Sequence, residues 1–379
     1  MRIGILTDSM DRERTGIGVY VRNLLEKILE IDEGNDYYLI HRLKNVNDEI
    51  KSIYSMRKEV IISLPRIEPK WMLWIYVKLP YMLRKLELDI LHDPSVPKIS
   101  VLYSDLFTKK CKKILTIHDL TPLFFSYHDK YDRLNLKFLR FFRKEIDAII
   151  VPSISTKNDV IRYLKISEDK IKVIPYGRDE RFKVIKDERI LSKVSKHYKL
   201  PTKFILYVGN IEPRKNIEGI LKAYYRLRKK QLSKEYKLIL VGKPWKGYSK
   251  VFNLSRKLKL QKDVIFTNYI DNKDMPIIYN LAECLVYPSF YEGFGLPPLE
   301  AMACGCPVVV SNTSSLPEVV GDAGIKVDPC NINEIADAIY EILINDDLKH
   351  ELVKRGLKRA KLFSWEKAAK ETLKVYEGV

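Results

Sequence analysis

The chain has 379 residues, 46% of them hydrophobic and 31% charged, and carries a formal net charge of +18. That length exceeds one ordinary core, so two domains are expected of a globular composition. The charge calls for a polyanionic partner, an anionic membrane surface or no specific partner, and the spread of lysine over almost every helix argues against nucleic acid.

Five cysteines, Cys111, Cys284, Cys304, Cys306 and Cys330, form no disulfide framework. Cys304 and Cys306 lack a histidine cluster beside them, so they read as small packing residues and no metal site is expected. A strand begins at once over residues 2–7, leaving no room for a signal peptide, and no apolar run is long enough for a membrane span. A reducing cytoplasm is the expected location.

In chain order, RIGILT, DYYLIH, EVIISL, DILH, KKILTIH, DAIIV and IKVIP read as strands of the first half, each rich in Ile, Val or Leu. Helical patterns at 19–30, 131–145 and 155–164 fall between them. That alternation predicts an α/β, doubly wound parallel sheet. Between the first strand and helix, Gly16 and Gly18 would let backbone amides approach a phosphate or sugar, although a plain helix-starting loop explains them as well. Their spacing is not the dinucleotide fingerprint, which disfavours an NAD-dependent oxidoreductase.

Residues 70–87, KWMLWIYVKLPYMLRKLE, are unusually apolar with basic flanks. They read as a buried helix interrupted at Pro80, or as a membrane-surface element with Trp71, Trp74 and Tyr76 at headgroup level and Lys78, Arg84 and Lys85 facing anionic lipid. His118 and Asp119 close the strand KKILTIH at its C-terminal end, where an open α/β sheet places ligands. His92 in LHDPSVP also ends a strand, where a turn explains it and an acceptor-side role is the alternative; His41, His128 and His197 read as structural.

A lysine-rich linker with a lead-in helix is expected over residues 178–200. KFILYVG, YKLILVG, DVIFTN, ECLVYP, PVVVS and GIKV then supply a second strand set, with helices from Asn216, Tyr248, Lys273, Leu296, Asn331 and Asp347. Gly209 and Asn210 end the first of these strands, and Arg214 and Lys215 lead the next helix. Two cations at the positive end of a helix are unfavourable by up to ~1 kcal/mol unless an anion such as a diphosphate offsets them. Gly242 and Lys243 stand at another strand end, bordering the expected base pocket.

The densest motif is SFYEGFGLPPLEAMACGCPVVVS, residues 289–311. Tyr291, Glu292, Gly293, Phe294, Gly295 and Leu296 lead into Pro297 and Pro298, where a helix would begin, and Glu300 is expected in its opening turn. Such a pocket offers amides to phosphate oxygens and carboxylates to hydroxyls, both features of a nucleotide-sugar. The final piece, FSWEKAAKETLKVYEG, is an amphipathic helix with Ser364 as N-cap.

The run from Phe290 to Gly305 resembles the donor-binding motif of retaining glycosyltransferases of family 4, the group 1 type; TIHDLTP, the 209–216 region and SNTSSLPEVVGDAGIKVDP agree with it. The resemblance implies the GT-B architecture: an acceptor-binding Rossmann-like domain over 1–178, a donor-binding one over 179–361, a deep interdomain cleft, and a last helix, 362–379, crossing back to the first domain. It implies that Gly16 and Gly18 face donor phosphates and acceptor, that His118 contacts the donor sugar near its reacting centre, and that Arg214 and Lys215 hold the diphosphate. Glu292 would engage hydroxyls of the transferred sugar, Glu300 those of the ribose, and amides of 294–296 the phosphates, while Glu318 would be structural.

The implied activity is a metal-independent hexosyltransferase, without cofactor, acting by same-face attack in which the leaving phosphate helps take the acceptor's proton. The expected partners are GDP-mannose, or else a UDP-glucose or UDP-N-acetylhexosamine donor, and a glycan or lipid-linked acceptor beside an anionic membrane. A nucleotide-sugar epimerase of the same architecture and a basic nucleic-acid-binding protein are the alternatives.

Overall fold

The structure, a computed structural model, describes residues 1–10, 16–41, 52–53, 58–61, 78–95, 111–125, 127, 130–230, 235–244, 247–268 and 270–379. The chain divides into two compact units, one of Met1–Gly177 with Ser364–Val379 and the other of Arg178–Phe363.

The first unit is built on seven strands: β1 (Arg2–Leu6), β2 (Asp36–His41), β3 (Lys58–Ile61), β4 (Ile90–Asp93), β5 (Lys112–Thr116), β6 (Ala148–Val151) and β7 (Ile171–Val173). They pair in parallel in the order β3-β2-β1-β4-β5-β6-β7. The central strands are short apolar runs buried on both faces, as in AIIV of β6, whereas the edge strands β3 and β7 expose charged residues. Leu6, Ile40, Leu91, Leu115, Ile149 and Val151 lie in one buried cluster of this unit. Chain order reverses between β1 and β4, so the segments leaving β1, β4 and β5 share the crevice at the strand ends.

The second unit carries β8 (Phe204–Val208), β9 (Lys237–Val241), β10 (Val264–Asn268), β11 (Cys284–Tyr287), β12 (Val308–Ser311) and β13 (Ile325–Val327). This sheet is also parallel, in the order β10-β9-β8-β11-β12-β13, and its switch point lies between β8 and β11. The two-domain parallel α/β class expected from the sequence is what the structure contains.

Two local expectations need correction, and a third falls partly on residues outside those described. Gly16 and Gly18 are not in a loop ahead of the helix: they form its first turn, Gly16–Ile31, and a side chain at Gly16 would meet nothing within 4 Å among the described residues. Residues 11–15 of that connection, Thr15 among them, lie outside the described residues. Pro80 stands in the first turn of the described helix Leu79–Leu86, with Lys78 before it also in helical conformation, and residues 70–77, on which the expected interrupted helix depends, lie outside the described residues. Trp71, Trp74 and Tyr76 lie outside the described residues. Glu300 stands in the second turn of the helix Leu296–Ala303, not the first, because Gly295 is its N-cap and Leu296 its first residue.

The last helix, Trp365–Glu377, belongs to the first unit. Ser364 caps it, accepting from the Lys367 amide at 3.0 Å. Its Tyr376 hydroxyl meets His92 Nδ1 at 2.7 Å, and Trp365 stacks on Tyr176 with ring centroids 6.0 Å apart. Backbone approach fixes the docking point: a Cβ on Gly177 would lie 2.1 Å from the Trp365 nitrogen, so only glycine fits there.

Candidate functional site

In the second unit, the loops leaving β8 and β11 meet beside the switch point. Asn216 takes a left-handed conformation, φ 57°, and caps the helix Ile217–Lys229 by accepting from the Gly219 amide. Its Nδ2 donates to the carbonyls of Pro288 and Pro329 at 3.1 and 2.7 Å, tying the β8 loop to the β11 loop. The Phe290 amide donates to the Arg214 carbonyl at 2.8 Å, which fixes the register of the two loops.

That clasp brings Arg214, Lys215, Tyr291 and Glu292 together. Arg214 Nη1 donates to Glu292 Oε2 at 2.8 Å and to the Tyr291 carbonyl at 2.9 Å. Lys215 Nζ donates to Glu292 Oε1 at 2.5 Å and to the Tyr287 hydroxyl at 2.6 Å. Glu212 pairs with Arg214 Nε at 3.0 Å. The cations therefore do not wait for an external anion, as their position at a helix start had implied: two internal carboxylates already offset them. Side-chain exposure of the four ionic groups runs from 6 to 14%, so the network is nearly dry and its Coulomb attraction weakly screened.

Burial alone would raise the Glu292 carboxyl, but Arg214 and Lys215 reverse this and hold it down to about 2. Burial and the adjacent Arg214 push the Lys215 ammonium below its usual range while Glu292 pulls it back. A carboxylate kept ionised this way is a strong acceptor for hydroxyl groups. The backbone of the motif is equally held: the Glu292 amide donates to Ser314 Oγ at 3.0 Å, and Ser315 Oγ is shared between the carbonyls of Glu292 and Phe294 at 2.9 and 2.7 Å. Gly293, Phe294 and Gly295 are buried behind it, with Leu296 half-buried.

Glu300 has a different partner, the Tyr279 hydroxyl at 3.0 Å, and burial pushes its carboxyl up to about 7 against that bond. At the ends of β8 and β9, Gly209 has φ 147°, Asn210 and Lys243 are exposed, and the Ile211 amide donates to the Lys243 carbonyl at 3.2 Å. A Cβ on Gly242 would lie 1.9 Å from the Gly209 carbonyl oxygen, so the two strand ends are as close as backbone allows. Cys284, Cys304 and Cys306 are buried thiols, and no group of three His, Cys, Asp or Glu residues suited to a metal ion occurs among the described residues.

Over residues 189–359 the chain matches the model for "Glycosyl transferases group 1", and over 14–182 that for "Glycosyltransferase Family 4". It is 30% identical over 391 residues to the O-antigen chain mannosyltransferase B of Escherichia coli, with all of both chains covered. The chain belongs to the group 1, family 4 glycosyltransferases. This glycosyltransferase is also 35% identical over 268 residues to the serotype-specific mannosyltransferase WbdA of Escherichia coli, 68% of this chain and 32% of that one. Its fold matches sucrose-phosphate synthase from Thermosynechococcus elongatus, TM-score 0.79 at 22% identity over 100% and 98% of the two chains. It also matches Anabaena HepE, solved with UDP and glucose, TM-score 0.80 at 16% identity over the whole of both. The fold is therefore GT-B.

In the first unit of the glycosyltransferase, His118 follows β5 at the sheet's C-terminal edge. Its Nε2 faces the Pro94 carbonyl at 3.0 Å and its Nδ1 bonds the Tyr176 hydroxyl. A carbonyl can only accept, so Nε2 carries the proton and Tyr176 donates to Nδ1. Burial lowers the His118 pKa to about 4, and the ring is neutral at pH 7. His92 is buried between Tyr376 and Thr116, Nε2 lying 2.9 Å from Thr116 Oγ1, and burial lowers its pKa to about 3. Both His92 nitrogens thus serve internal bonds, and the residue acts as a tie to the last helix.

Sequence reasoning missed Glu212, Tyr287, Ser314, Ser315, Tyr279 and Tyr176. Glu212 and Tyr287 carried a usable signal, a carboxylate two positions before Arg214 and a hydroxyl at a strand end before Pro288. The others are joined to their partners only by the fold.

Proposed function

We propose that the protein transfers mannose from GDP-mannose, with retention of anomeric configuration, to a glycan or lipid-linked acceptor. The observation that carries the sugar is the full-length similarity to a protein named O-antigen chain mannosyltransferase B, alongside WbdA, also named a mannosyltransferase. The ion network supports the donor class. Arg214 and Lys215 present fixed positive charge where a leaving diphosphate develops negative charge, and in that role they stand in for a divalent cation. Glu292, ionised and held from both sides, orients hydroxyls of the transferred sugar. Backbone amides of residues 294–296, with Tyr291, Gly293 and the Gly209–Asn210 turn, bind the phosphates and border the donor, and Lys243 lies beside the base. Gly16, Gly18 and His118 serve the acceptor and donor sugar from the first unit, His118 as a neutral group.

A nucleotide-release assay with GDP-mannose, UDP-glucose and UDP-N-acetylglucosamine, each with and without excess EDTA, tests this reading. Turnover with GDP-mannose that survives EDTA is expected. A thermal-shift screen run beside it should show about 2.7 kcal/mol of stabilisation at a hundred times the dissociation constant of the true donor. Stabilisation and turnover by a UDP-sugar alone would overturn the choice of GDP-mannose, and product formed without any acceptor would point to an epimerase.

Glu300 gives the donor site a pH signature. Its carboxyl, raised to about 7, must be ionised to accept from ribose hydroxyls. Donor KM is therefore expected to rise as pH falls below about 7, approaching ten-fold per pH unit, because only the ionised fraction binds. Glu300→Gln should weaken donor binding at high pH and remove the inflection. An unchanged inflection in that variant would show that Glu300 does not face the donor.

A further inference from the structure

Behind the ion network, two fully buried tyrosines flank the switch point of the second unit. Tyr207 on β8 and Tyr287 on β11 stack, with ring centroids 5.9 Å apart and planes 16° from parallel. Tyr207 donates its hydroxyl to the Asn210 carbonyl at 3.0 Å, whereas the Tyr287 hydroxyl accepts from Lys215 Nζ at 2.6 Å. That ammonium lies 5.0 Å from the centre of the Tyr287 ring, so the contact runs through the hydroxyl rather than the ring face.

An ammonium has three N–H donors and no acceptor. Among the described residues, Lys215 Nζ gives one to Glu292 Oε1 and one to Tyr287, and those are its two acceptors. Two fixed acceptors leave a tetrahedral group a single direction for its third N–H. The acceptors stand on different footing: Glu292 belongs to a loop, while Tyr287 is a strand residue whose ring is locked by packing. Burial, and then the charge of Glu292, hold the phenol well above its ordinary range, so it remains a neutral acceptor. The charged and titratable groups around the ammonium are Arg214 and Glu212 after β8, Glu292 after β11, and Tyr287 with Tyr207 behind it.

We propose that Tyr287 is a positioning residue for the transfer: its hydroxyl and Glu292 together turn the third N–H of Lys215 toward the leaving diphosphate. The proposal rests on the reading of Lys215 as a partner of that diphosphate, and adds why a strand tyrosine is held against it. Electrostatics alone would ask only for a cation nearby. A charge-assisted hydrogen bond also asks for direction, which a flexible lysine stem does not supply by itself.

Calorimetric titration of the full chain with GDP and with UDP, from about pH 7 to about pH 9, tests it in wild type, Tyr287→Phe, Lys215→Met and the double variant. Tyr287→Phe keeps the ring and its stacking, and should weaken the nucleotide that wild type binds by about ten-fold, the effect of one hydrogen bond to a charged group. Losing an acceptor also disfavours the charged ammonium, so the alkaline fall in affinity should begin about one pH unit lower than in wild type. Variant-to-wild-type ratios cancel the titration of the nucleotide itself. In the Lys215→Met background the same change should do nothing further, an outcome that a merely structural hydroxyl would not give. Lys215→Arg, charged but too broad for the slot between hydroxyl and carboxylate, should also lose about ten-fold or more. A wild type that binds neither nucleotide, or wild-type affinity in Lys215→Met, would overturn the diphosphate reading and this proposal with it. A large loss in Lys215→Met beside wild-type affinity and pH response in Tyr287→Phe would overturn the proposal alone. So would an equal loss from Tyr287→Phe in both backgrounds, or wild-type affinity in Lys215→Arg.

Discussion

Glu292→Ala is expected to reduce turnover by about 100- to 1,000-fold and to lower Tm by about 10 °C. The turnover loss follows from removing an ionised acceptor from a site where the charge is held ready before reaction. The stability loss follows from what remains: Arg214 keeps Glu212, but Lys215, with a 9% exposed side chain, loses its direct ion-pair partner and retains the Tyr287 hydroxyl and the more distant field of Glu212. Breaking a buried pair on one side costs about 3–5 kcal/mol. The pH dependence has a definite sign. The Glu292 pKa is lowered on folding, so its contribution is complete above the ordinary carboxylate range and is lost as pH falls from about 4.5 toward about 2. Glu292→Gln, which keeps the shape without the charge, should lose that acid-labile component. Steady-state kinetics beside calorimetry decides the matter: wild-type turnover in Glu292→Ala would remove the residue from the site.

Lys215→Met is expected to lower kcat/KM for the nucleotide-sugar by about 100-fold, because in the proposed role its buried ammonium offsets the charge of the leaving diphosphate and a mobile surface lysine cannot replace it. Read alone, that loss could come from Glu292 shifting once one of its two cations is gone. The double variant Glu292→Gln/Lys215→Met separates the two causes. A buried ion pair replaced by neutral groups of similar volume is often as stable as the original, so Tm should recover relative to Glu292→Ala. Turnover should not recover. If turnover returned together with Tm, the network would be a scaffold and the diphosphate would bind elsewhere.

Much of the fold was legible because parallel strands buried on both faces become short runs of Ile, Val and Leu that polar and turn residues interrupt. VVVS of β12 and LILV of β9 need little more than counting. Helix starts were legible where a cap or proline marks them, as at Ser364 and Pro297, and failed at Gly16, whose flexible backbone gives no sign of which side of the boundary it occupies. The candidate site was legible as a set of strand ends, since Arg214 follows β8 and Glu292 follows β11. Its internal charge balance was not. Whether Arg214 meets a ligand or Glu292 depends on strand order, which places β8 beside β11 and so joins Arg214 to Glu292 across 78 positions of sequence. The same holds for the His92–Tyr376 bond, which spans 284 positions and has no local pattern to announce it.

The return of the last helix has a practical corollary for protein engineering. Because Ser364–Val379 completes the first unit, the segment Arg178–Phe363 is topologically a guest inserted into a host. The guest's own ends are adjacent, the Arg178 amide donating to the Phe363 carbonyl at 3.3 Å. The host's cut ends are adjacent as well, Gly177 lying against the Trp365 backbone. Excising the guest and splicing residue 177 to residue 364 should yield a self-sufficient host, whereas simple truncation after residue 177 leaves His92 without its tyrosine. For the same reason an affinity tag at the carboxyl terminus reports on the amino-terminal half of the protein.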